Sequence, residues 1–231
     1  MRSSFRRLAW LALAVLSALV ALVATSRAAD AERRVVLVAP VEGTIDMATA
    51  PFVSRVLDDA ERVGAAAVVL DIDTFGGRLD AAVAIRDRVL ASDVPTVAFV
   101  HPRAISAGAL ISLAAETIAV SEGATLGAAT PVQMEPGGET TPTDEKTVSY
   151  VRKEFAATAA QRGRPVELAE AMVDADVDVP GVVDEGKLLT LTGDEALALG
   201  VAERGADDLP ALLADLGLRD AEVRTFAPNW A

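Results

Sequence analysis

The chain contains no cysteine, one histidine (His101) and three lysines (Lys146, Lys153 and Lys187) in 231 residues. Without cysteine there are no disulfides, no thiolate nucleophile and no sulfur ligands for a metal. A single histidine rules out an imidazole cluster. No carboxylates stand at ligand spacing, so neither a metal nor another cofactor is expected. Aromatic residues make up 4% of the chain. Ala, Val and Leu dominate instead, which suits a core of alternating strands and helices. Basic residues are outnumbered 21 to 34, for a net charge of −13. Such an acidic chain is a poor match for nucleic acid.

Long hydrophobic runs are scarce as well. The one example, Leu8–Thr25, is an uncharged, mostly apolar stretch of 18 residues behind Arg2, Arg6 and Arg7. "SRAAD" comes next, with Ser26 and Ala28 at the small positions that a signal peptidase reads. Residues 1–28 therefore read as a signal peptide cut after Ala28, or as an uncleaved N-terminal membrane anchor. Both readings place the remainder on the extracytoplasmic side, because the positive end stays inside. Removing 1–28 leaves 17 basic against 34 acidic residues. No repeat or low-complexity linker interrupts the rest of the chain, and residues 30–231 read as one domain.

That domain is periodic. Short runs rich in β-branched residues, "RRVVLVAPV" (33–41), "AAAVVLDI" (65–72), "VPTVAFV" (94–100) and "TIAVSE" (117–122), read as buried strands. Between them lie helical patterns. In residues 45–64, Ala50, Val53, Val56, Leu57 and Ala60 share a face that Gly64 terminates. Residues 74–92 turn on Gly76–Gly77 into a helix, and an apolar helix runs from Ser106 to about Ala115. Three strand–helix alternations in under ninety residues predict an α/β fold with a mostly parallel sheet. Farther on, 135–146 reads as a mobile loop, with helices over 146–163 and 166–175. Residues 182–203 read as a hairpin turning at Asp184–Gly186, then a helix with a Thr192–Glu195 capping box. "DDLPALLADLGL" reads as a last helix.

Ligand sites in parallel sheets gather at the carboxyl ends of strands. Gly76–Gly77 comes after the second strand and Ser106 after the third. Ser106 can be a simple helix cap. It can equally be a nucleophile, with Ala107 and Gly108 leaving room for a substrate backbone. In that case Gly76, Gly77 and Ala107 can supply N–H donors to an oxyanion. A nucleophilic serine also needs a base. His101, at the end of the third strand, reads as a residue on the rim of the cleft. Lys187 lies in a turn beside Asp184 and Glu185, which stabilise its charge. Lys153 reads as part of a solvated helix face. Lys146, where the loop becomes helix, is the lysine that a closing loop could carry into a dry pocket, although Asp144 and Glu145 flank it.

The blocks "LDIDTFGGRLDAA", "PRAISAGALISLAAETIAVSEGATLGAATPV", "DEK", "QRGRP" and "GKLLTLTGDEALALGVAE" resemble the NfeD family of membrane-associated serine proteases, which have the ClpP/crotonase fold. The likeness spans about residues 33–206. It implies repeated β-α units with a C-terminal hairpin and helix, a Ser106–Lys146 dyad, and an oxyanion hole from the Gly–Gly turn and the N–H after the serine. It also implies an apolar peptide substrate, such as a segment of a stomatin-like membrane protein, and dimers or larger assemblies. The chain departs from the pattern in two places. The region where ClpP carries its histidine reads "AATPV", which opposes a Ser–His–Asp triad. Phe75 replaces the proline of the family's usual turn, and makes this residue a candidate for shaping the substrate cleft. Longer members continue into membrane helices and a small OB-like domain, past the point where "APNWA" ends this sequence.

Three functions fit these residues. The first is a serine endopeptidase using Ser106 and Lys146. The second is a non-catalytic binding or scaffold module on the same fold, assisting a stomatin-like membrane protein. The third is a crotonase-like acyl-thioester enzyme, which the lack of a basic cluster for a nucleotide phosphate opposes.

Overall fold

A computed structural model describes residues 34–134 and 140–228. The signal-peptide or anchor reading of residues 1–28 lies outside the described residues. Four parallel strands form the centre of the sheet: β1 (Val35–Ile45), β2 (Ala67–Gly77), β3 (Thr96–Ile105) and β4 (Thr117–Val120). Three helices cross between them: α1 (Thr49–Val63), α2 (Leu79–Leu90) and α3 (Ala107–Ala114). The expected alternation is present, and the sheet is parallel at its centre.

Each of the first three strands runs past its apolar segment. The apolar run ends, but backbone pairing continues and still buries Ile45, Thr74 and Ala104. β2 carries on through Gly76 and Gly77, which pair with Thr44 and Ile45 of β1. The two glycines are therefore the end of a strand, and the helix begins only at Leu79. A Cβ on Gly77 would stand 2.0 Å from the Ile45 carbonyl oxygen, so only glycine lets the strands come this close. β3 bulges at His101 and Pro102. Register passes from Ile72↔Val100 to Asp73↔Arg103, leaving two residues unpaired. The extension of β3 then pairs with β5 (Thr125–Gly127). Bulges of this kind re-aim a strand beside a site.

Alternation along the strands divides the core. Val68, Leu70 and Ile72 join a large cluster with Phe52, Val53, Val56 and Leu57 of α1. Val36, Val38, Val69 and Phe99 point to the other face. That face is covered by Leu212 and Leu213 of the last helix (Leu209–Asp215), the one expected from "DDLPALLADLGL". α1 ends as its sequence predicts, at Gly64 with φ 62°.

The C-terminal half departs from expectation in four places. The helix at 166–175 stops at Ala171, because the carbonyls of Ala171, Met172 and Val173 accept bonds from Leu189, Ala129 and Thr130. No hairpin forms across 182–203. Instead β6 (Thr190–Thr192) pairs antiparallel with β5, a strand more than sixty residues earlier. The next helix does carry the expected Thr192–Glu195 capping box. Finally, residues 140–142 of the supposed loop form a strand (Thr140–Pro142) against Val132–Met134. A further strand, Glu222–Thr225, pairs parallel with β1 at the sheet edge, where its mostly exposed, charged sequence hides it from apolar periodicity. Among the described residues, no helix is long and apolar enough to cross a membrane.

Candidate active site

Ser106 joins β3 to α3 with φ 57° and ψ −115°. That is the first central position of a type II′ turn, a conformation suited to glycine. Holding a serine there costs on the order of 1–3 kcal/mol. The Ser106 N–H donates to the Gly127 carbonyl at 2.9 Å, and its own carbonyl accepts from Ala109 at 2.9 Å. Its side chain makes no cap bond to the helix, so the helix-cap reading of Ser106 fails on geometry. The hydroxyl stands half-buried at the head of a helix whose eight residues are all buried.

Gly76 lies directly against it. A Cβ there would stand 2.6 Å from Ser106 Cβ and 3.0 Å from its Oγ, and Gly76 has φ 113°. Gly108, the second residue of α3, packs as closely on Thr74, whose Cγ2 would be 2.5 Å from an added Cβ. Thr74 is 1% exposed. Its Oγ1 donates to the Gly43 carbonyl and accepts from the Gly76 N–H at 2.9 Å. The Gly76 N–H is therefore occupied. Arg78 N–H bonds the Ile45 carbonyl at 2.8 Å. Gly77, between them, lines the same cavity as Ser106 and Ala107. Ala107 is the first residue of α3, where a helix has no acceptor of its own for the N–H. Thr74 was absent from the sequence-level candidates, and only its place just before "FGG" could have pointed to it.

Ser106, Ala107 and Gly77 line a cavity of about 460 Å³. Its walls are largely apolar, with Leu79 and Ala82 of α2, Leu110 of α3, and Val151 and Phe155 of α4 (Glu145–Gln161), and Thr44, Arg78 and Thr130 add polar groups. Phe75 is at the lip, 74% exposed. The Arg103 guanidinium stands 4.6 Å from its ring centroid and is itself bonded to Asp73 at 3.0 Å.

His101 does not share this cavity. It stacks on Phe99 at 5.1 Å and points to the other sheet face, with Nδ1 4.0 Å from Asp71. Burial raises the Asp71 carboxyl above its usual range, and His101 pulls the other way. A group whose folded pKa is raised weakens the fold above that pKa, and the penalty vanishes below the unfolded value. Asp71→Asn is accordingly expected to raise the melting temperature at pH 7 by about 2–4 °C, the shift that ~1 kcal/mol produces in a domain of this size. The gain should fade as pH falls through the raised folded pKa and be gone below the ordinary carboxyl value of 3.8 (thermal melts at pH 3.5 and 7). An unchanged difference would assign the effect to packing.

The three lysines differ in their surroundings. Lys187 pairs with Asp184 at 2.7 Å, which raises its pKa, and Lys153 pairs with Glu170. Lys146 forms no ion pair among the described residues, although it is exposed. The flanking Asp144 is occupied elsewhere. It caps α4, accepting from the Thr147 N–H at 2.8 Å, and this bond holds its carboxyl below the usual range. Lys146 lies one helical turn before Tyr150 on the same face. Tyr150 lines a shallow groove with Leu79 and Arg78, two residues that also line the Ser106 cavity. The structure thus sets α4 against the cavity. It forms no hydrogen bond between Lys146 and Ser106. Among the described residues, no group of three His, Asp or Glu side chains could hold a metal.

Residues 35–226 match the family described as NfeD1b, N-terminal domain. The chain is 36% identical over 204 residues to membrane protein NfeD1b of Bacillus subtilis, covering 88% of this chain and 46% of that one. It is 29% identical over 218 residues to membrane-bound protease PH1510 of Pyrococcus horikoshii, covering 86% and 47%. The chain thus spans about half the length of the curated relatives it matches. A solved structure of 1510-N is described as a membrane-bound stomatin-specific protease, in this case a lysine-to-alanine mutant in complex with a substrate peptide. It superposes with a TM-score of 0.75 at 29% identity, over 86% of this chain and 94% of that one. A serine-to-alanine mutant of the same protein gives 0.73, over 86% and 100%. ClpP1 of Listeria monocytogenes, at 20% identity and a TM-score of 0.57 over 76% and 94%, shares the fold.

Proposed function

Since the chain belongs to the NfeD1b family through its N-terminal domain, we propose that it is a serine endopeptidase with Ser106 as nucleophile and Lys146 as general base. The observation that carries this reading is the strained Ser106, unsatisfied as a cap and set over an apolar cavity beside Gly77 and Ala107. Ser106 Oγ attacks the peptide carbonyl carbon while neutral Lys146 accepts the hydroxyl proton. The N–H groups of Gly77 and Ala107 stabilise the oxyanion. Lys146 passes its proton to the departing amine, leaving an acyl-enzyme, and then activates the water that releases the acid. Lys146 sits in the first turn of α4, where the helix dipole opposes a positive charge. Lys146 is exposed in the free protein, and substrate lying across the cleft is what desolvates it, since catalytic hydrogen bonds commonly tighten only in the bound state. The separation of Ser106 and Lys146 is within one residue of that between the serine and lysine exchanged in the two 1510-N structures.

The cavity walls favour an apolar substrate segment, and a stomatin-like membrane protein is the proposed source. Phe75 shapes the mouth of the cleft. The domain acts outside the cytoplasmic membrane, attached or exported through residues 1–28, as a dimer or larger assembly.

A fluorophosphonate probe tests the reading. The Oγ–P bond forms, the P–F bond breaks and fluoride leaves. Mass spectrometry should find the adduct on the Ser106 peptide. A folded protein that binds apolar peptides yet takes no label would make it a scaffold module.

A further inference from the structure

The nucleophile's helix is held from its far end by two arginines that take no part in the proposed chemistry. α3 is only eight residues long, and its last carbonyls have no acceptor role within the helix. Arg162 Nε donates to the Ala114 carbonyl at 2.7 Å. Arg164, 4% exposed, donates from one nitrogen to the Leu113 and Ala115 carbonyls, each at 2.9 Å. Its other donors reach the Val201 carbonyl at 3.1 Å and Glu203 at 3.0 Å. Two guanidinium groups thus complement the negative end of α3.

A strained residue keeps its conformation only where its surroundings over-determine it. At Ser106 the upstream restraint is the bond from its N–H to Gly127. The downstream restraint has to come through α3, because α3 begins at the next residue. Half of its residues are Ala or Gly, "AGALISLA", the buried Leu110, Ile111 and Leu113 hold it laterally in the core, and a slide along the helix axis would misplace Ser106. The bonds at its end can stop one. Arg162 and Arg164 flank Gly163 right after α4, the helix that bears Lys146. One corner of the chain therefore ties the base's helix to the nucleophile's helix.

We propose that Arg162 and Arg164 are positioning residues for the reaction. They clamp the C-terminal carbonyls of α3 and so fix the strained Ser106 and the Ala107 N–H at its other end. The inference rests on Ser106 being the nucleophile.

Arg162→Met is the first variant. It keeps an apolar stem of similar reach and removes the donor, whereas Arg164, more deeply buried, is changed only to Lys. Misplacing reacting groups by about an ångström costs roughly 10²-fold. For Arg162→Met we expect a roughly 10- to 100-fold slower fluorophosphonate labelling of Ser106, measured well below the melting temperature. We also expect kcat for an apolar peptide to fall by a similar factor with KM unchanged. Arg162→Lys and Arg164→Lys should fall in between. Wild-type labelling rates in variants with lowered melting temperatures would make the arginines purely structural and overturn the proposal. Failure of the wild type itself to label would sink the nucleophile reading first, and this one with it.

Discussion

Ser106→Ala is expected to abolish both fluorophosphonate labelling and peptide cleavage, with a loss of at least ~10⁴-fold, the scale on which a missing nucleophile is felt. The more informative variant is Ser106→Gly. At φ 57° and ψ −115° a serine is strained, and glycine is at ease there. The same substitution that removes the nucleophile should therefore leave the fold as stable as wild type, or more so by about 1 kcal/mol. Ordinarily a helix-start glycine replacing a helix-capping serine costs a few tenths of a kcal/mol. The sign of the change thus separates the two roles of this residue. A stabilised, inactive Ser106→Gly marks strain kept for function. A destabilised one would return Ser106 to an ordinary cap. Chemical denaturation with paired activity assays reads both quantities on one sample.

The centre of the fold could be read from the sequence because its physics is local. The three strand–helix alternations are written in apolar periodicity, and Gly64 and Thr192 mark ends through their own conformations. Ser106 stood out for a local reason too, a small-residue segment at the carboxyl end of a strand. What was missed depends on distant segments meeting. The extension of β2 through Gly76 and Gly77 exists because Thr44 and Ile45 lie alongside. No periodicity in "TFGG" records that. β6 pairs with β5 across more than sixty residues, and the C-terminal edge strand reaches back to β1. The occupied Gly76 N–H and the removal of His101 from the cleft arise from side-chain direction, which a strand fixes only once its register and bulge are known. The arginines of "QRGRP" are two more polar residues in sequence. Their meaning appears only when the end of α3 comes within reach.

Lys146→Ala is expected to lower peptide cleavage by about 10²–10⁴-fold, the usual contribution of a positioned general base. It should slow labelling of Ser106 in proportion, while leaving the fold intact, because Lys146 is exposed and forms no ion pair among the described residues. Lys146→Arg should be no better than alanine. Guanidinium keeps its charge at every accessible pH and cannot take a proton from serine. Lys153→Ala and Lys187→Ala serve as controls, since both lysines are held in ion pairs on the surface. They should retain wild-type rates. The pH profile supplies the second test. With Lys146 as base, the wild-type rate rises as the amine loses its proton, and that limb should vanish in Lys146→Ala. A limb that survives would assign the proton to another acceptor. His101 is the obvious remaining titratable base, but it stacks on Phe99 on the opposite face of the sheet, bound up with Asp71. His101→Gln should accordingly leave activity unchanged. The exposure of Lys146 gives one more expectation. Its effect should grow with the length of the peptide, because a longer chain covers more of the groove lined by Tyr150, one helical turn from Lys146, which shares Arg78 and Leu79 with the Ser106 cavity. A small ester that reaches only Ser106 should depend on Lys146 less than a peptide does.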